Sequence, residues 1–130
     1  MSSTPAYAAT PRCSSAAVST ANTNRDGTGT IETVFTAGAS GSKIERVVVK
    51  ATADPADGVV ILWLHDGTNY RMFDEFDTND PAAGSTTVAA FREERAYADL
   101  LLPAGWSLQA QNTVALTAGV FHVTAFGGDF

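Results

Sequence analysis

Beyond residue 30, apolar and polar side chains alternate with a period of two over most of the chain, and that period predicts strands. Ile31, Thr33 and Phe35 alternate with Glu32, Val34 and Thr36. Residues 44–51 form a second predicted strand; alternation lapses at Val47-Val48-Val49, as expected where a strand is covered on both faces. The strongest local signal lies in residues 58–76, where two apolar runs flank Asp66-Gly67. A two-residue Asp-Gly loop predicts a type I′ hairpin, since both residues of that turn need positive φ. With that loop, His65 faces Thr68, Trp63 faces Tyr70 and Ile61 faces Met72. One hairpin face then carries Val59, Ile61, Trp63, Tyr70 and Met72 and is expected to be the core face. The other carries Val60, Leu62, Leu64, Asn69, Arg71 and Phe73. It is too apolar for open water and is expected to need a cover, from the same chain or from a neighbour.

Residues 86–102 are less regular. The run 89–98 contains good helix formers and admits a short helix. The β-rich surroundings favour two strands instead, residues 86–92 and 97–102, joined by a charged turn around Arg92-Glu93-Glu94-Arg95. Pro103-Ala104-Gly105 ends the second of these. Trp106, Leu108 and Ala110 then point inward against Ser107, Gln109 and Gln111, and residues 112–118 read as a loop or weak strand. The last strand, residues 119–126, sets Phe121, Val123 and Ala125 against Val120, His122, Thr124 and Phe126. About eight strands, with turn signals every ~8–12 residues, predict an all-β fold: an antiparallel β-sandwich, jelly-roll or Ig-like.

Residues 1–28 differ from the rest. They are small and polar, with Pro5 and Pro11, and hold almost no large apolar groups except Tyr7 and Val18. Such a segment does not offset its own ordering entropy by burial. It reads as a loose tail or as an extended N-terminal arm that orders on a neighbouring subunit, with a short strand available at residues 16–21. The expected organisation is an arm over 1–28 followed by a sandwich domain over 29–130.

Composition narrows the partners. The chain has 130 residues, enough for one domain with a real core, and 45% of them are hydrophobic. The net charge of −6 with only 8 Lys plus Arg argues against direct contact with nucleic acid. No apolar run is long enough for a membrane span, and the N-terminus lacks the basic start and apolar stretch of a signal peptide, so synthesis in the cytoplasm is expected. Cys13 stands alone and reads as a spectator thiol.

Candidate chemistry is sparse. His65 and His122 share no short motif with each other or with Asp, Glu or Cys, so a metal or acid–base pair is weighed against two ordinary strand histidines, and the latter reading is preferred. Asp74, Glu75, Asp77, Asn79 and Asp80 form an acidic run, but Pro81 follows and no glutamate completes a Ca²⁺ loop, so a solvated loop is expected. No Ser lies in a nucleophile elbow, and no glycine cluster follows a strand and opens a helix as a phosphate loop does. Trp63, Tyr70, Tyr97 and Trp106 suggest a sugar-stacking platform, against which stands the more ordinary role of aromatic packing in a core.

Several phrases together carry a family resemblance: Thr33-Val34-Phe35-Thr36-Ala37-Gly38-Ala39-Ser40-Gly41-Ser42-Lys43-Ile44, Leu64-His65-Asp66-Gly67-Thr68-Asn69-Tyr70, Leu102-Pro103-Ala104-Gly105-Trp106-Ser107-Leu108, and the ending Ala125-Phe126-Gly127-Gly128-Asp129-Phe130. Over residues 30–130 the chain resembles small β-sandwich virion structural proteins of tailed bacteriophages, a group associated with capsid decoration, or cement, roles. The resemblance implies a non-enzymatic protein on the capsid exterior that binds the major capsid protein and copies of itself, as a homotrimer, with no cofactor, catalytic residue or metal site. Tyr7, Arg12 and Arg25 in the arm, and Leu62, Arg71 and Phe73 on the second hairpin face, are the expected subunit or capsid contacts. The alternatives are a carbohydrate-binding tail or baseplate module that recognises a host glycan, and a small β-sandwich hydrolase or metalloprotein using His65 and His122.

Overall fold

A computed structural model describes residues 10–52, 58–78, 84–114 and 119–130. Its elements are β1 (Thr10–Val18), β2 (Glu32–Thr36), β3 (Ser42–Ala51), β4 (Val59–His65), β5 (Tyr70–Asp77), β6 (Arg92–Leu102), β7 (Ser107–Asn112) and β8 (Phe121–Asp129). They form two four-stranded sheets, β1-β8-β3-β6 and β2-β7-β4-β5, with antiparallel pairing throughout. Among the described strands, only β4 and β5 are consecutive and paired within one sheet; the other consecutive strands lie in opposite sheets. That winding is the jelly roll, and it separates this chain from an Ig-like sandwich, which keeps more of its hairpins within a sheet.

The core follows from alternation. Ile44, Val47 and Val49 of β3 and Phe121, Val123 and Ala125 of β8 face Phe35, Val60, Leu62, Phe76 and Leu108 of the other sheet, all essentially without exposure. In β7, Leu108 and Ala110 face inward as predicted.

Four expectations are corrected. First, the hairpin loop has four residues, not two, so His65 pairs with Tyr70 and Trp63 with Met72. The Asp66 carboxylate accepts the N–H groups of Thr68 (2.9 Å) and Asn69 (2.7 Å), and the Asp66 N–H bonds the Asn69 carbonyl (3.2 Å). Side-chain capping of this kind builds an Asx-type turn, within which Gly67 takes a positive φ, 99°. The register then shifts between Leu62 and Trp63, so that Leu62 pairs with Asp74.

Second, the two hairpin faces exchange roles. The loop is longer by two residues, which preserves parity, so the residues group as predicted. Val60, Leu62 and, more loosely, Leu64 and Phe73 are the face turned to the other sheet. That face is the sandwich interior, and its cover comes from the same chain. Ile61 and Trp63 lie on the outward face and are nevertheless buried. Their cover is described below.

Third, the boundary expected after residue 28 falls inside the fold. β1 pairs residue by residue with β8, from Thr10 opposite Asp129 to Val18 opposite Phe121. A strand of Ala, Ser and Cys needs little apolar burial of its own when a neighbour supplies a full backbone ladder. Residues 1–9, including Tyr7, lie outside the described part.

Fourth, Arg92-Glu93-Glu94-Arg95 is not a turn. β6 is continuous from Arg92 to Leu102, and residues 86–91 before it are neither strand nor helix. β6 is a sheet edge. Charges are tolerated on such a strand because alternate side chains stay wet while the backbone pairs on one side.

Candidate functional site

Of the six expected contact residues, the five that are described, Arg12, Arg25, Leu62, Arg71 and Phe73, do not assemble into one surface. Leu62 is fully buried between the sheets and offers nothing to a neighbour. Phe73 is half-buried, 5.1 Å centroid to centroid from the Tyr97 ring. Arg71 is exposed beside the hairpin loop. Arg12 and Arg25 make contacts within the chain, and Tyr7 lies outside the described residues. What these positions reveal is how the sandwich is closed.

The outward face of the β2-β7-β4-β5 sheet is sealed by the segment between β1 and β2. Trp63 donates its indole N–H to the Gln111 side-chain oxygen (2.6 Å), and the Gln111 amide donates to the carbonyls of Asn22 and Asn24 (both 2.8 Å). Asn22 ties the segment to itself through the carbonyls of Thr28 (2.9 Å) and Thr30 (3.0 Å). Gly27, at φ 87°, passes so close to Tyr70 that a Cβ there would stand 2.9 Å from the tyrosine Cβ. Arg25 reaches over the same face to Glu75 (2.6 Å) and lies 3.7 Å from the Met72 sulfur. Tyr70 donates to Gln109 (3.2 Å), which donates to Ser107 (3.0 Å). Trp63 and Tyr70 are diagonal neighbours in a T-shaped pair at 6.0 Å. They belong beneath this cover, not in the inter-sheet core.

Each flank of the sandwich is latched by an arginine stacked on a phenylalanine. On one flank Arg12 of β1 lies over the Phe35 ring of β2 at 4.2 Å, donates to the Thr36 carbonyl (2.8 Å) and pairs with Asp129 (2.9 Å). On the other, Arg95 of β6 lies over the Phe76 ring of β5 at 4.2 Å, donates to the Glu75 carbonyl (2.7 Å) and pairs with Asp74 (2.8 Å) and Glu93 (3.2 Å). Tyr97 adds a hydrogen bond to Asp74 (2.7 Å). Stacking a guanidinium on a ring while satisfying its donors is what a half-buried arginine does best.

The electrostatics follow from these contacts. Partial burial would raise the Asp74 carboxyl, but hydrogen bonds from Tyr97, Arg95 and the Glu75 N–H outweigh it and hold the group below the ordinary aspartate range. Burial, then the bond to Asp74, pushes the Tyr97 phenol far above its usual value, so it remains a donor. Asp129 is lowered by hydrogen bonds from Ser42 (2.6 Å) and Arg12. With Asp74 bound to Arg95 and Tyr97, and Glu75 bound to Arg25, two of the three described residues of the acidic run are engaged in structure; Asn79 and Asp80 lie outside the described residues.

His65 and His122 sit on outward faces of opposite sheets, the first 4.3 Å from the Tyr70 ring, the second exposed opposite Lys50 and Ala17. Among the described residues no three His, Cys, Asp or Glu side chains converge as a metal site. Tyr97 and Trp106 are partly buried and pack against the core. The open face of the β1-β8-β3-β6 sheet holds a shallow depression of about 420 Å³ beside Cys13, Glu45 and Phe126, where Arg46 stacks over Phe126 at 4.3 Å and bonds Glu94 (2.9 Å). At one end of that sheet Leu101 (54% exposed) and Phe130 (37% exposed) leave apolar surface in water.

Asp74, Arg95, Tyr97 and Asp129 were not singled out as partners by the sequence. Each pairing joins residues distant along the chain, 21 positions for Arg95 with Asp74 and 117 for Arg12 with Asp129, so only the topology brings them together. The chain matches no protein-family model, and no curated protein matches it significantly.

Proposed function

We propose that this chain is a non-enzymatic virion structural protein of a tailed bacteriophage, and within that class a capsid decoration protein that binds the outer shell and stabilises it. The observation that carries the reading is the strand order β1-β8-β3-β6 over β2-β7-β4-β5, a jelly roll, which is an architecture of viral capsid domains and lectins. The resemblance of residues 30–130 to phage sandwich proteins points the same way. So does the use of the charged and aromatic groups: Arg12, Arg95, Asp74, Asp129, Trp63 and Tyr97 are engaged in holding sheets and cover together. The glycan-binding alternative shares the jelly roll but needs an open aromatic platform. Trp63 is covered and Tyr97 and Trp106 pack on the core, which disfavours it.

In this reading the mechanism is mechanical. A rigid sandwich bridges neighbouring capsid subunits, and the area it buries adds to the stability of the shell. The partners are the major capsid protein and copies of the chain itself. Leu101 and Phe130 are the apolar groups best placed to meet a shell. The test is co-sedimentation with shells assembled from the major capsid protein of the same genome neighbourhood, followed by thermal melting of the shells. Bound protein at a fixed ratio to capsid subunits and a raised shell melting temperature are expected, with Leu101→Asp abolishing both while leaving the free protein's melting unchanged. Protein that stays in the supernatant, with shells melting as before, would sink the proposal.

A further inference from the structure

Among the described residues the sandwich presents four sheet edges, and three are defended against a further strand. β6 carries Arg92, Glu93, Glu94, Arg95 and Asp99; β5 carries Arg71, Asp74, Glu75 and Asp77; β2 is only five residues long, contains Glu32 and has an irregular register. Charges, shortness and bulges are the devices that keep edge strands from pairing with another chain. β1 has none of these beyond Pro11 near its start. It runs for nine residues, its single charge, Arg12, is held by Asp129 and Phe35 of its own chain, and its outward side chains are Cys13, Ser15 and Ala17.

We propose that β1 is the site where a second copy of this chain adds, antiparallel and about a two-fold axis, so that two β1-β8-β3-β6 sheets continue as one. The backbone supplies the chemistry. As the edge of its sheet, β1 pairs with β8 on one side, and no hydrogen bond from a described residue reaches its other side. Alternate residues of Arg12–Val18 therefore turn an N–H and a carbonyl toward an incoming strand. Small side chains on both faces let that strand approach to the ~4.8 Å spacing of a sheet.

Charge selects the occupant. Two-fold pairing sets a strand against its own sequence, which is tolerated only where that sequence has no charges to oppose. On β6 the same operation, centred on the charged run, would set Glu93 against Glu94 and Arg92 against Arg95 of the second copy. On β1, centred on Ser15, it sets Cys13 against Ala17 and Ser14 against Ala16, with Arg12 opposite Val18 and not opposite another charge. A symmetric contact is self-complementary by construction, so one edge without opposed charges suffices for it.

The inference is independent of the capsid reading, since a dimer that ignores shells would keep the first and remove the second. Light scattering of the full chain after size exclusion is expected to give twice 13.6 kDa at micromolar concentration. Ser15→Lys and Ala17→Glu, both at exposed positions, are expected to give monomers with the β circular-dichroism signal intact. Single cysteines at 13, 15 and 17, the last two in a Cys13→Ser background, are expected to yield dimers with a short bis-maleimide. A control cysteine at Ala98 of β6 is expected to yield none. If a charge unfolds the chain, the cysteine series still decides. A strict monomer, a trimer, or a dimer that resists both charges and crosslinks only through β6 overturns the proposal.

Discussion

Leu62 and Phe73 show what a single position means once its neighbours are known. Both were expected at a subunit contact, yet Leu62 is fully buried between the sheets and Phe73 packs against Tyr97. Leu62→Ala is therefore expected to cost about 2–5 kcal/mol of folding stability, the range for a large-to-small change in a packed core. Phe73→Asp is expected to lower the melting temperature of the fold itself, by placing a carboxylate among half-buried aromatics. Thermal melts followed by circular dichroism measure both. A Phe73→Asp protein that melts like the parent but changes its oligomeric state would return Phe73 to the surface. The distinction was not legible in alternation, because both hairpin faces are covered: one by a sheet, the other by a polar segment that has no apolar pattern of its own.

At the scale of elements, the strands were largely legible and their edges were not. β3, β7 and β8 lie where alternation puts them, since each has one face in the core and Val, Leu or Phe marks it. β1 escaped because Ala, Ser and Cys carry no such mark, and β6 was divided because charges in sequence look like a turn until the strand is known to be an edge. The covering segment is the least legible element of all. It is held by Gln111, Asn22 and Trp63 through hydrogen bonds that only the fold brings together. Gln111→Ala is expected to leave the Trp63 N–H and two backbone carbonyls without partners, at about 1–3 kcal/mol for each buried group stranded. Amide hydrogen exchange should then accelerate in residues 22–30 before anywhere in β3 or β8. Uniform acceleration across both sheets would mean that the segment is not a separate layer.

For the whole molecule, the two flank latches make stability depend on acid. Asp74 and Asp129 both titrate below the ordinary aspartate range in the folded state. A carboxyl lowered on folding stabilises the protein fully above its unfolded value of about 3.9, and that contribution is lost as pH falls through this value toward the folded one. The melting temperature is thus expected to be level from neutral pH to about 5 and to fall below about 4. Asp74→Asn should flatten part of the decline while lowering the plateau, because it removes a titrating group together with its bond to Arg95. A variant whose decline matches the parent's would show that the acid sensitivity lies elsewhere.

The pairing of β1 with β8 has a consequence in time. Arg12 and the Asp129 that holds it are 117 positions apart. Of the described strands, the ribosome makes β1 first and must make β8 before β1 has its ladder partner. Through most of synthesis β1 has no ladder, and the covering segment lacks the Gln111 side chain of β7 that holds it. Chains with contacts this distant fold slowly for their size. The nascent β1 waits for β8, and with Arg12 as its one charge it is left, through that wait, exposed to the same strand of another chain emerging nearby.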